Sequence, residues 1–597
     1  MLNFIPSSPA ARSLILADAA LRLGPRAVGL WAWHRASRGR AGRALRDAAP
    51  PAGPFLPTGQ VAAAPILQDA VLEAAASLPR SPDWHGPFDP ALPALGMDLF
   101  GPGDVRPVWE RNRFGDVLLL AQAARLAPGA DHAGRADALL GHWCRANPPF
   151  RGPAWACGQE AALRALNLVL ALALLDGDRR LPDGARGLLA LLARRIAVTR
   201  AYAAAQDNNH PISEAAGAWA TALLLGRPAD AAREAARLSR SVGRLVAPDG
   251  GFAQLSPGYA RLALDTLSVV EWVRRRQAAP PFPAPLSARA TALGGWLFRL
   301  ADPDSGRAPR LGLEDDSALA DLSLAGPRDV RASLERAARL FTGRSAGWSG
   351  DPGCLWLGLP CPAGAPAWPR PARWVAGGLV GIAEGRAAAV LRAGPIRFRP
   401  GQADALHLTL RDGPLEVLRD GGTGAYNPPE SWWWPALSGA AGHNGVVFDG
   451  AEPMPRATRF LLARWPRVRP LADGAESRDA RGNRQQRQVT AQGRTWTVVD
   501  RLAGPFRHVS ARWRLADLPW RLDGDGVVSA AARIAVAADA PVLVRLVAGW
   551  ESPSYSVVRP APVLLVEAAA PVSCMRLVIT LAKNQRLRTS ETEITYL

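Results

Sequence analysis

Three polar clusters interrupt a chain otherwise rich in alanine and leucine, and they hold the residue types that carry chemistry. The first is Asp207-Asn208-Asn209-His210-Pro211-Ile212-Ser213-Glu214. Two amides and an imidazole stand just before an apolar helical stretch, with Pro211 suited to its first turn. Taken as structure alone, this is a capped helix start in which Asn209 bonds orphan amide groups. The second cluster runs from Asp249-Gly250-Gly251 through Gln254 to Ser256-Pro257-Gly258-Tyr259, placing a tyrosine where a glycine-rich loop enters the next long helix. The third spans Phe398-Arg399-Pro400-Gly401-Gln402-Ala403-Asp404-Ala405-Leu406-His407-Leu408, then Asp420-Gly421-Gly422-Thr423-Gly424-Ala425-Tyr426 and His443-Asn444. Separately, Glu314-Asp315-Asp316 would either pair with Glu160 as the two carboxylates of a glycoside hydrolase or form an acidic surface turn.

Other chemistries are excluded by their missing motifs. There is no GxxxxGK[ST] loop, no GxGxxG opening a Rossmann unit, no GxSxG elbow and no HExxH helix. Five cysteines show neither CxxC nor Cys/His metal spacing and read as buried thiols. Lys and Arg total 71 against 52 Asp and Glu, a formal charge of +19, and Lys583 is the only lysine. A codon bias toward GC-rich triplets explains this arginine excess as well as does a surface that attracts polyanions, either acidic polysaccharide or nucleic acid; the arginines are scattered and form no basic arm, which counts against nucleic acid. The most apolar early stretch, Leu14 to Trp33, is broken by Arg22 and Arg26 and lacks the pattern of a signal peptide. No stretch of about 20 residues is apolar enough to span a bilayer. As written, the sequence leaves compartment and oligomeric state open.

The elements that must position these clusters change type along the chain. Helical periodicity marks Asp116–Leu126, Gln159–Leu175, Ala185–Ala205, Ile212–Leu225, Ala231–Val246, Tyr259–Arg276, Leu286–Leu300 and Arg328–Phe341. Paired helices with hardly a strand between them indicate a bundle, a solenoid or a closed α/α toroid. After a Pro/Gly/Trp-rich stretch, short runs bounded by turns follow: Gly378–Glu384, Ala387–Arg392, Ala405–Leu410, Leu415–Arg419, Gly445–Phe448, Thr495–Val499, Ala532–Val536 and Val542–Val547. These predict a large antiparallel sandwich. At 597 residues the chain exceeds one core. The expected division is an extension with an amphipathic helix over 1–80, a toroid over 81–350, a linker over 351–372 and a sandwich over 373–597. The run Trp432-Trp433-Trp434 reads as a wedge packed between the two large domains.

Taken in order and spacing, the clusters resemble the heparinase II/III-like polysaccharide lyases. The matching segments are Asn208-Asn209-His210, Gln254 to Tyr259, Ala403 to Leu406, Asp420 to Thr423 and His443-Asn444, with Asp104 to Phe114 and Trp155 to Arg164 upstream. The resemblance covers roughly residues 80 to 597. It implies an incomplete (α/α) toroid followed by an antiparallel β-sandwich, an α+β multidomain fold. It also implies β-elimination at a uronic acid, with catalytic residues Asn209, His210 and Tyr259. Asn209 and His210 would donate to the uronate carboxylate, and Tyr259 would act as acid and base if nearby cations favour its phenolate. Arg113, Arg164 and Arg261 are the expected grips on anionic sugars, with Glu160, Gln254 and Tyr426 also in the substrate-binding set.

The sequence departs from the family in one place. The family's His-x-His pair falls here on Pro400 and Gln402. In the family the second histidine joins an aspartate and a later histidine to bind a structural zinc. Gln402, Asp420 and His443 are weak candidates for that site, and His407, five residues on, would face the opposite side of a strand. The expectation is therefore no cofactor and no stoichiometric zinc. Besides the lyase, the sequence leaves room for a hydrolase on the same toroid and for a non-catalytic polysaccharide-binding or assembly protein.

Overall fold

A computed structural model describes residues 9–45, 48–59, 61–64, 66 and 68–583. Residues 1–8 of the expected extension and 584–597 of the expected sandwich lie outside them. Helices come first: α1 (Pro9–Ala44), α2 (Asp69–Ser77), α3 (Val105–Arg111), α4 (Gly115–Leu126), α5 (His132–Ala146), α6 (Gly158–Leu174) and α7 (Asp183–Val198). They continue with α8 (Arg200–Gln206), α9 (His210–Leu224), α10 (Pro228–Leu245), α11 (Pro257–Arg276), α12 (Leu286–Leu300), α13 (Arg331–Phe341) and α14 (Pro352–Trp356). The single helix expected over Ala185–Ala205 is two helices, broken at β-branched Thr199, whose hydroxyl accepts a bond from Arg195 at 2.9 Å.

Helices pack in hairpins along the chain: α4 on α5, α6 on α7, α9 on α10, and α11 on α12 and α13. The first members, α4, α6, α9 and α11, also pack on one another in succession and form an inner layer. Both sides of an inner helix are covered, so it must be apolar all round. Every residue of α6 from Gly158 to Leu174 is buried. Outer α10 instead buries one stripe, Ala231, Glu234, Leu238, Val242 and Leu245, and leaves Arg233, Arg240 and Arg244 toward solvent. Close packing of α6 on α9 requires Gly217, where a Cβ would stand 2.6 Å from that of Ala162. The result is an incomplete α/α toroid. Residues at the N-terminal ends of α4, α6, α9 and α11 line one cavity, so the inner helices run parallel and their starts emerge together.

Strands begin at Arg373. The first sheet is antiparallel in chain order: β1 (Arg373–Ala376), β2 (Leu379–Glu384), β3 (Ala387–Arg392), β4 (Leu408–Asp412) and β5 (Leu415–Leu418). Next come β6 (Val446–Phe448), β7 (Arg456–Thr458), β8 (Leu461–Leu462), β9 (Arg467–Leu471), β10 (Gly474–Arg478), β11 (Arg484–Gln492) and β12 (Thr495–Ala503). The remainder are β13 (His508–Arg514), β14 (Arg521–Asp523), β15 (Gly526–Val528), β16 (Ala532–Ala538), β17 (Val542–Ser554), β18 (Val557–Ala569) and β19 (Cys574–Leu581). They build an eight-stranded sheet, β14-β15-β16-β19-β12-β11-β10-β9, and a four-stranded one, β17-β18-β13-β6. In β12 burial alternates along the strand, with Trp496, Val498, Asp500 and Leu502 inward. Strands β2 and β3 are buried almost throughout, because the toroid covers their second face. The strand expected from Ala405 starts only at Leu408; Leu406 is left-handed (φ 58°), so residues 402–407 form a turn.

Helix α1 straps the two halves together. It bends at Gly24 (φ 79°), ahead of Pro25. The first arm buries Ile15 and Ala19 against Ala463 of the sandwich, and Arg22 bonds the Trp465 carbonyl at 3.0 Å. Its second arm lies along α8, with His34 and Tyr202 rings 4.9 Å apart. Among the described residues no helix is long and apolar enough to cross a membrane.

Candidate active site

A cavity of about 490 Å³ opens where the inner helices begin. Its floor comes from Arg113 ahead of α4, Gln159 and Glu160 in the first turn of α6, Asn208 to His210 at α9, and Gln254 and Tyr259 at α11. The sandwich adds Arg399, Gly401, Tyr426 and Phe460, and the strap adds His34 and Arg38. Partial positive charge gathers at helix N-termini, so this end of the toroid favours an anion. A larger groove of about 660 Å³ lies between α12 and the first sheet. Several of its arginines are already neutralised, by Asp302 on Arg411, Glu416 on Arg328 and Asp412 on Arg386.

Asn209 does not cap its helix, contrary to the plain structural reading. Asn208 Oδ1 takes that part, accepting the His210 N–H at 3.0 Å. The Asn209 side-chain amide nitrogen is instead buried and has no hydrogen-bond partner, an arrangement that costs free energy unless a ligand completes it. Gln254 positions this residue: its Oε1 accepts the Asn209 backbone N–H at 3.0 Å and ties the two loops together. Burial, aided by the charges of Arg399 and Arg113 and opposed by Glu160, holds His210 down to about 4, so its imidazole is neutral at pH 7.

Tyr259 follows the N-cap Ser256, whose Oγ accepts its backbone N–H at 3.3 Å. The Tyr259 and Tyr426 hydroxyls are hydrogen-bonded to each other. Tyr555 Oη in turn accepts the Tyr426 N–H and donates to Asp104, both at 2.7 Å. Burial and the nearby Asp315 carboxylate push Tyr259 well above its ordinary value, against the pull of Tyr426 and Arg106. The expectation that cations would favour its phenolate is therefore reversed: Tyr259 rests as a phenol. Asp315 is itself buried and held low, because Arg106 (3.1 Å) and Arg113 outweigh its desolvation. The acidic triplet is thus no exposed surface turn.

The expected arginine grips divide sharply. Arg113 borders the cavity but forks onto Glu160, with bonds of 2.7 and 2.8 Å, and meets Glu110 at 2.6 Å. Arg113 and Glu160 thus occupy each other. Arg164 is 0% exposed, bonded to the Ala154 and Asn112 carbonyls and stacked by Trp143 and Trp155. Arg261 bonds the Gly326 and Pro327 carbonyls at 2.8 and 2.7 Å. Both are core struts with no access to the cavity, which corrects their assignment to the sugar. Trp432 stacks on Trp550 at 4.6 Å and Trp434 lies under Arg456 and Arg459, so the tryptophan run packs within the sandwich instead of between domains.

The sandwich also gathers His407, Asp420 and His443 into a buried cluster whose ligand atoms lie within 4.8 Å of one another. His407 does not face away, because residues 402–407 turn and strand alternation does not apply to them. His407 supplies the third donor that Gln402 lacks, and the Nε2 atoms of His407 and His443 are buried without a hydrogen-bond partner among the described residues, so the donor set has the composition of a zinc site. Against a metal stands the Asn444 backbone N–H, which His407 Nδ1 accepts at 2.9 Å; that bond favours a ring proton on Nε2, which lies 3.3 Å from Asp420 without a hydrogen bond to it. A metal-bound histidine needs the opposite tautomer, with its second nitrogen donating. Buried Arg487 anchors the cluster through the Leu406 and Asn444 carbonyls at 2.7 and 2.6 Å. We expect elemental analysis of protein purified without chelator to find well under one zinc per chain, and chelator to leave the unfolding midpoint unchanged. About one zinc per chain would overturn this assignment.

The sequence offered Asp315 only within an acidic triplet and Arg106 and Arg399 only within longer segments, without a role of its own for any of them, and it did not single out Tyr555. Asp315 and Arg399 reach the cavity from irregular segments, and only their tertiary neighbours show it.

Comparison with known proteins shows what this fold is similar to. Residues 369–583 match the family described as heparinase II/III-like, C-terminal. Among solved structures, a heparinase III superposes with a TM-score of 0.66 at 12% identity, covering 96% of this chain and 94% of the other. A second heparinase III gives 0.58 at 14% identity, covering 96% and 93%. The heparan sulfate lyase HepC of Pedobacter heparinus gives 0.54 at 15%, covering 98% and 92%. The resemblance drawn from the motifs is borne out, and the toroid-plus-sandwich fold is shared along nearly the whole chain. No curated protein matches the sequence.

Proposed function

We propose that this chain, whose C-terminal half carries the heparinase II/III-like domain, is a polysaccharide lyase that cleaves a uronate-containing glycan by β-elimination. The observation that carries the reading is the convergence of an unpartnered buried amide at Asn209, a neutral imidazole at His210 and a protonated Tyr259 on one cavity. A uronate carboxylate entering the ring of helix N-termini takes the Asn209 amide as donor. That donor strengthens as charge builds on the carboxylate in the enolate-like transition state.

The protonation states divide the work. A resting phenolate at Tyr259 is disfavoured by about 1.4 kcal/mol for each pH unit below its raised pKa, so it serves as the acid. Neutral His210 has a free lone pair, and the charge of a bound uronate raises its basicity. In the elimination the C5–H bond breaks and its proton passes to His210. The C4=C5 double bond forms as the C4–O bond breaks, and the leaving oxygen takes the Tyr259 proton. Tyr426 orients that hydroxyl through their shared bond.

Digestion of an acidic glycan in ¹⁸O-water separates this from hydrolysis. Read before the anomeric oxygen exchanges with solvent, elimination leaves both new ends without solvent oxygen, whereas hydrolysis places ¹⁸O at the new reducing end as fast as chains are cut and would refute the proposal. The pH profile gives a second test. With His210 lowered to about 4, its neutral form persists as pH falls through 6.5, so kcat/KM should hold level there and decline only toward 4. A half-loss near 6.5 would contradict the role given to His210.

A further inference from the structure

We propose that Arg399 is the cation that clamps the substrate's carboxylate; this rests on the lyase reading. Arg399 immediately precedes Pro400, where the resembling family has its first histidine. It lines the same cavity as Asn209, His210 and Tyr259. Unlike Arg113, Arg164 and Arg261, it makes no hydrogen bond or ion pair with any described residue. The carboxylate it feels, Asp207, is already engaged by Arg244 at 2.7 Å on each oxygen and by Arg26 at 3.0 Å.

The loop holds this side chain in place. Phe398 is left-handed (φ 61°), a strained conformation for a bulky residue, which persists where surroundings over-determine it. The Arg397 and Arg244 guanidiniums cover the Phe398 ring at 5.3 and 5.7 Å. On the other side Gly401 lies against Leu313, where a Cβ would come within 2.9 Å, and Gln402 bonds the Gly422 carbonyl at 3.3 Å. The loop is thereby held where Arg399 lines the cavity together with the toroid donors, near enough to His210 for its charge to act on that ring. The desolvated Arg399 guanidinium remains charged, since arginine does not lose its proton at neutral pH, and it offers a planar fork matched to a carboxylate.

The test is calorimetric binding of methyl glucuronide and of neutral methyl glucoside to wild type, Arg399→Gln and Arg399→Lys. We expect Arg399→Gln to weaken the glucuronide about 10- to 100-fold, the size of a lost charge-assisted pair, and to leave the glucoside and the unfolding midpoint unchanged. Arg399→Lys should recover part of the loss. An equal effect on both sugars, or none on the glucuronide, would overturn the clamp. If the clamp behaves as expected but wild type releases no unsaturated product from any acidic glycan, the lyase reading falls and the carboxylate site stands.

Discussion

Replacing Tyr259 with phenylalanine should lower kcat on an acidic glycan by about 10²- to 10⁴-fold and change KM little. The substitution removes one hydroxyl from a 6% exposed ring and leaves the ring's packing intact. In the proposed mechanism that hydroxyl is the proton donor to the leaving oxygen, so its loss should be felt once the C4–O bond breaks and hardly in ground-state binding. Tyr426→Phe should be milder, because Tyr426 orients the acid without giving up a proton to the sugar. If the Tyr259→Phe enzyme keeps full activity, or loses it through KM alone, the acid is some other group.

Glu160→Gln should destabilise the fold by about 3–5 kcal/mol, read as a fall in the urea midpoint at constant slope. Arg113 and Glu160 are both buried and bonded to each other by two short contacts. Burial opposes the charge of Arg113, and Glu110 and Glu160 outweigh it. Removing the carboxylate leaves that cation short of its main partner. Glu160 itself is held below its ordinary value: burial would raise it, but Arg113 wins. Its contribution is therefore complete above about pH 4.5 and fades as pH falls through the lowered value. The difference between wild type and Glu160→Gln should shrink in the same window. Replacing both partners with methionine should cost much less than either single change, since no orphan charge remains. A Glu160→Gln protein as stable as wild type at pH 7 would show that the pair is idle.

Much of the site was legible because a helical-hairpin arc puts functional residues at predictable places. Polar clusters directly before apolar helices became the ends of α9 and α11, and Gln254 does join their loops. The switch from helical to two-residue periodicity was legible for the same reason: burial on one face or on all faces writes itself into composition. What failed were inferences about partners. Arg164 and Arg261 look in sequence like Arg113 or Arg399, yet backbone carbonyls far along the chain claim them. His407 was placed by strand alternation, and Leu406 turns the chain instead. Asn209 looked like a cap because a neighbouring asparagine with the same chemistry was one residue away. Arginine burial, left-handed turns and unsatisfied amides are tertiary properties, and a local pattern does not encode them.

The central claim is elimination at a uronate, and its most direct measurement follows the ultraviolet absorbance of unsaturated uronate alongside new reducing ends. The substrates should be a panel of acidic glycans and the same glycans with their carboxyls reduced to alcohols. The account predicts that at least one acidic glycan yields unsaturated ends and reducing ends in equal number, while its carboxyl-reduced form yields neither. Reducing ends without absorbance, or equal cleavage of the reduced glycan, would contradict it.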